Sequence, residues 1–232
     1  MAREDAEPPS LTIRTMTDYL TARSAHQRFS IMQNRKSQLG VRRFAPYYQP
    51  ARAAIRRYHS GDEEALRKEI EALLRARLDA LRPTEMAKIE NNLRVLTDYD
   101  EHFSEEDVEH RNRRFAPLIV EGVRISTEPT LSGTIREGRV RTPCNIVVDP
   151  QAEAPDEVEI DYVLELLFRG SGLTHRTPPR GARYWHASSG ETWTLARSSP
   201  RRWRDIEDAA REIVLRWPTV GILTAARAAS SR

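Results

Sequence analysis

Between Val120 and Pro150 the chain reads VEGVRISTEPTLSGTIREGRVRTPCNIVVDP, with β-branched and polar residues alternating around two Glu-Gly pairs, Glu121-Gly122 and Glu137-Gly138. Period-two alternation puts one set of side chains on each face of a strand. A glycine beside a polar residue supplies the positive φ that a tight hairpin needs. The stretch therefore predicts a short strand at Leu118, Ile119 and Val120, and a second starting at Val123 and Ile125. A hairpin follows, pairing 131–136 with 139–148. Pro129 and Pro143 predict bends, bulges or edge positions, because proline cannot donate to a ladder.

Helical spacing flanks this block. Ile13, Met16, Tyr19 and Leu20 predict a short helix after a disordered 1–10. The stretch QNRKSQLGVRRFAPYYQP reads as irregular, broken by Gly40, Pro46 and Pro50. Pro50 then opens a helix through Tyr58. Asp62 is a candidate cap for a helix whose apolar stripe is Leu66, Ile70, Leu73, Leu74 and Leu78. Thr84 caps the next, striped by Met86, Ile89, Leu93 and Leu96. The acidic stretch 98–114 reads as a solvated connection; its His102 and His110 lack a recognised ligand spacing. After the β block, Pro155 opens a helix to about Arg169, with Val158, Val163, Leu166 and Leu167 toward the core. RYWHASSGETWTLA predicts a second hairpin turning at Ser188, Ser189 and Gly190. Ser199 caps a last helix that buries Trp203, Ile206, Ala210, Ile213, Val214 and Trp217.

Charge is segregated along the chain. Positions 19–61 hold nine Arg or Lys and no Asp or Glu, whereas positions 62–110 hold seven bases against fifteen acids, a balance of −8. The basic segment also carries Phe29, Phe44, Tyr47, Tyr48 and Tyr58, the mixture that contacts phosphates and stacks on bases. The alternative is that the two segments pack together and neutralise each other. Arginines recur near the second hairpin and at the start of the last helix, where a helix N-terminus favours phosphate. The nucleic-acid candidates are Arg35, Lys36, Arg42, Arg43, Arg56, Arg57, Arg176, Arg180, Arg201 and Arg202.

Several classes are disfavoured. No apolar run approaches the roughly 20 residues of a membrane span, and the polar, proline-containing N-terminus reads as no signal peptide, so a cytoplasmic protein without membrane contact is expected. The one cysteine, Cys144, forms no intrachain disulfide and reads as a buried inert thiol. His186 and Ser189 lie close, but neither an orienting Asp nor a nucleophile elbow accompanies them. There is no P-loop and no dinucleotide fingerprint.

From Thr84 onward the order is helix, three strands, helix, strand. This resembles the α-β-β-β-α-β core of the PD-(D/E)XK, or restriction-endonuclease-like, superfamily. FAPLIVEGVRISTEP and SPRRWRDIEDAAREIVLRWPTV also resemble a group of uncharacterised bacterial proteins with this layout. The superfamily resemblance implies an Asp near the second strand and an acidic-x-Lys on the third, together holding a divalent cation that activates water. Here Thr130 stands at the Asp position, Pro143 at the acid and Asn145 at the lysine. A hydroxyl and a neutral amide supply no anionic metal site. Glu128 and Asp149 are candidates for migrated ligands.

The expected fold is α/β: a disordered 1–10, a helical basic part over 11–82, a restriction-endonuclease-like core over 83–218 and a tail over 219–232. The expected function is non-catalytic nucleic-acid binding by a degenerate nuclease-like protein, with no cofactor. One alternative is a protein-interaction or scaffold subunit of a bacterial multi-protein system. Another is a divergent nuclease that would use Mg²⁺.

Overall fold

Thr12 marks the first change of backbone state. Ser10–Thr12 is extended as β1, and Ile13–Thr21 coils as α1, its first turn capped by the Thr12 hydroxyl, which accepts from the Thr15 backbone N–H. The structure, a computed structural model, describes residues 8–39, 47–171 and 178–221. Ser10 is therefore ordered in a strand rather than part of a disordered leader. Four further helices follow: α2 (Ala25–Leu39), α3 (Gln49–Tyr58), α4 (Ala65–Asp79) and α5 (Pro83–Phe103).

α2 corrects the irregular reading of 33–39. The breakers Gly40, Pro46 and Pro50 all lie beyond its end, and Met32 anchors it at 1% exposure. Pro50 does sit in the first turn of α3. α4 begins after Glu64 rather than Asp62, and its stripe is only half used. Leu66 and Leu73 are buried, while Leu74 and Leu78 are exposed, because among the described residues nothing packs on that face of its last turns.

Next come β2 (Val108–His110), β3 (Leu118–Val120), β4 (Val123–Ser126), β5 (Leu131–Glu137) and β6 (Val140–Asp149). α6 (Glu157–Gly170), β7 (Ala182–His186), β8 (Thr192–Thr194) and α7 (Pro200–Arg216) complete the order. Both Glu-Gly pairs turn the chain as expected: Glu121 and Gly122 have φ of 46° and 84°, and Gly138 has 60°. α6 starts two residues later than expected, where Asp156 accepts from the Glu159 N–H at 2.8 Å. Val158 faces solvent rather than the core, and Val214 of α7 is also exposed.

The strands form two sheets. The larger runs β2-β5-β6-β7-β8, with β6 and β7 parallel and the other neighbours antiparallel. α6 supplies the crossover between β6 and β7. The smaller sheet runs β1-β4-β3, with β1 parallel to β4. Two corrections follow. The strands around Glu121-Gly122 lie in the smaller sheet. The first strand of the larger sheet is Val108–His110, inside the stretch expected to be a solvated connection; α5 also runs on through Phe103. This strand has too few residues for a periodic signal and exists through pairing with β5. Gly133 permits that pairing, because a Cβ there would lie 1.9 Å from the Glu109 carbonyl oxygen.

Apolar cores cover both faces of the larger sheet. Alternate residues of β7 separate between them: Tyr184 packs with α1, α2, α6 and α7, and Trp185 with α3, α4 and α5. In the second core Trp185 stacks on Phe103 at 4.7 Å between centroids. Cys144 lies there, fully buried, and burial pushes its thiol up to about 12. Both cores draw on residues from each side of position 82. Among the described residues, no helix is long and apolar enough to cross a membrane.

Candidate functional site

The C-terminal end of β6 is where the two sequence halves meet. Beside it lie the first turn of α1, one face of α3 and the loop after β4. Between them is a cavity of about 380 Å³. Ile13, Val147, Val148 and Val163 give it an apolar wall. Three arginines also line it: Arg14 from α1, and Arg52 and Arg56, which share a face of α3 at i and i+4. Two carboxylates line it as well, Glu128 and Asp149, the migrated-ligand candidates, which are 21 positions apart in sequence.

Each carboxylate is already engaged. Asp149, 6% exposed, accepts from the Tyr184 hydroxyl and from the Gln151 backbone N–H at 3.1 Å, and lies 3.9 Å from Arg14 Nη1. Burial, and then the charge of Asp149, push the Tyr184 phenol far above its usual range, so it stays protonated and donates. Glu128 accepts from Arg56 Nη2 at 2.8 Å. Arg56 also donates from Nε to the Thr130 carbonyl and from Nη2 to the Pro129 carbonyl, both at 2.8 Å. Arg14 is shared between Asp18, at 2.9 Å, Asp149 and the Gln151 side chain.

Arg52 differs. Its Nε is buried with no hydrogen-bond partner. Among the described residues, none makes a hydrogen bond or ion pair with its guanidinium. Burial lowers its pKa, and Arg56 adds to that, while the charges of Glu128 and Asp149 oppose the shift. A guanidinium stays protonated under such pressure, so a half-buried positive charge with open donors faces the cavity. The N-terminus of α3, where the Ala51 N–H is already taken by Asn92 Oδ1 at 3.1 Å, lies on the same wall at Tyr48 and Gln49.

The structure scatters the other candidates. Thr130 is buried, and its hydroxyl accepts from the Val148 N–H at 3.1 Å as a clip between β5 and β6. Asn145 is buried in β6 opposite Ser132, and Pro143 is exposed opposite Thr134. Arg35 donates to the Ser10 carbonyl at 2.8 Å, and Lys36 to the Trp217 carbonyl at 2.7 Å. Arg57 pairs with Glu69 at 3.1 Å and Arg202 with Asp161 at 3.3 Å. Arg180 and Arg201 are exposed and do not line the cavity. Arg42, Arg43 and Arg176 lie outside the described residues. Of the arginine and lysine candidates described, Arg56 is the one at the cavity.

The sequence reading missed Arg14, Arg52, Gln49, Gln151 and Tyr184. The i,i+4 relation of Arg52 to Arg56 was legible in the sequence. The position of Arg14 depends on β1 pairing with β4 and had no local signal. Among the described residues, no three His, Cys, Asp or Glu side chains gather as a metal cage would need. No protein-family model matches this chain, and neither does any curated protein or solved structure.

Proposed function

We propose that this chain is a non-catalytic nucleic-acid-binding protein on a restriction-endonuclease-like core, taking phosphate at the cavity of Arg52. The observation that carries this reading is the half-buried Arg52 guanidinium, whose Nε is buried and which has no partner among the described residues. Burying a charge without compensation is costly, and an anionic ligand supplies the compensation. Arginine's planar fork suits phosphate oxygens. The order α5, β2, β5, β6, α6, β7 supports the core assignment, with the β3–β4 hairpin inserted after the first strand of the larger sheet. The test is an anisotropy titration of labelled DNA and RNA with the full chain at increasing salt. The reading expects affinity to fall log-linearly with salt. Absence of binding at low salt would defeat it.

A second reading, a divergent metal-dependent nuclease, is favoured by one observation. Glu128 and Asp149 line a single cavity, with Gln151 two residues past Asp149, in the spacing of an acidic-x-Lys. As the side chains stand, two arginine-engaged carboxylates do not fit a divalent cation, which needs several free anionic or carbonyl oxygens. Cleavage dependent on Mg²⁺ or Mn²⁺ and lost in Glu128→Ala would favour this reading over simple binding.

A further inference from the structure

The cavity has two chemistries side by side. One wall is apolar, formed by Ile13, Val147, Val148 and Val163, and the other carries Tyr48, Gln49 and Arg52, whose guanidinium has no partner among the described residues. An inorganic anion would satisfy the guanidinium and leave the apolar wall wet. The backbone of a duplex resting across the opening would reach neither the buried Nε nor that wall. At about 380 Å³ the space is at the small end of ligand pockets, which run to roughly 300–1,000 Å³. That is room for one nucleotide.

The charge balance also points to a terminal phosphate. Arg14 and Arg56 hold Asp149 and Glu128; Arg56 reaches Glu128 through Nη2, while its Nε donates to the Thr130 carbonyl. The lining groups are thus three cations against two anions, with the excess on Arg52. A phosphate monoester carries about −1.5 to −2 charges and three strong acceptor oxygens near neutral pH. An internal diester carries only one charge, and its strand must also leave on both sides.

Resting on the nucleic-acid reading, we infer that the cavity receives the terminal nucleotide of a single strand, with its phosphate monoester on Arg52 and its sugar and base against the apolar wall. The site thus recognises an end rather than a sequence.

The test uses the full chain and one short single-stranded DNA made in three forms: 5′-phosphorylated, 3′-phosphorylated and hydroxyl at both ends. In anisotropy titrations, one phosphorylated end is expected to bind about tenfold or more tighter than the hydroxyl form. The end that gains identifies which terminus enters. A free nucleoside monophosphate of that polarity should compete at lower concentration than inorganic phosphate. Arg52→Gln should erase the preference, so that the phosphorylated and hydroxyl strands bind within about twofold of each other, and a circular-dichroism melt no lower than that of the wild type shows that it folds. Arg52→Lys, which keeps charge without the fork, should restore only part of it. Equal binding of all three strands would overturn the inference and leave the nucleic-acid reading standing. Inorganic phosphate competing as well as the nucleotide would also overturn it. Failure of every strand to bind at low salt would remove both.

Discussion

Arg52 and Arg56 are one turn apart on the same face of α3, yet their replacement should move stability in opposite directions. Arg56 ties the helix to the loop before β5 through two carbonyl hydrogen bonds and an ion pair, all at 2.8 Å. Hydrogen bonds from a charged donor contribute about 1.5–3 kcal/mol each at best, and part-buried ones nearer 1. The Glu128 partner is 57% exposed, so solvent screening holds the ion pair to about 0.5 kcal/mol. Arg56→Ala should therefore cost about 2–3 kcal/mol. For a chain of this size that is a Tm roughly 5–10 °C lower. Arg52 has no such partners and loses solvation on folding. Arg52→Met keeps the packed stem and removes the uncompensated charge, so it should raise stability by about 1–2 kcal/mol. Urea and thermal unfolding of the two variants beside the wild type measure both. If Arg52→Met destabilises as much as Arg56→Ala, the guanidinium is compensated within the fold and the argument for an external anion fails. Stability gained where binding is lost is the trade expected at a functional site.

Further predictions concern the scaffold. His59 is buried between the Tyr99 hydroxyl, 2.7 Å from Nε2, and the Val108 carbonyl, 3.2 Å from Nδ1, and burial lowers its pKa to about 4. Its folded pKa lies below the unfolded value, so its contribution is present in full above about pH 6.5 and lost as pH falls toward 4. Complete loss is worth about 3 kcal/mol, and a His59→Gln variant should flatten that part of the pH–stability curve. Gly133→Ala would drive a methyl into the Glu109 carbonyl; it should cost about 1–3 kcal/mol and show first as faster amide exchange in β2. Trp185→Ala removes the ring stacked on Phe103 and should cost about 3–5 kcal/mol in urea unfolding.

The candidate site was partly legible before folding. Glu128 and Asp149 stood out as stray carboxylates, and both reach the cavity. Their partners did not stand out, because whether an arginine is paired depends on what lies across space from it. Arg35, Lys36 and Arg57 look like Arg52 in sequence, yet each has an acceptor within 3.1 Å. The nine positive residues of 19–61 are thus not one phosphate surface: among those described, several staple helices to the rest of the fold.

Local chemistry alone determined the two Glu-Gly turns, the α3 start at Pro50, the α7 cap at Ser199 and most buried faces of the helices. Each rests on contacts a few residues apart, where backbone sterics and side-chain period act directly. Tertiary pairing decided that β3 and β4 join β1, that Val108–His110 becomes a strand, and that Leu74 and Leu78 stay in water. It also left the half-buried Arg52 of α3 without a partner among the described residues. These outcomes depend on which surfaces remain uncovered once both cores have closed, and no window of the chain contains that information.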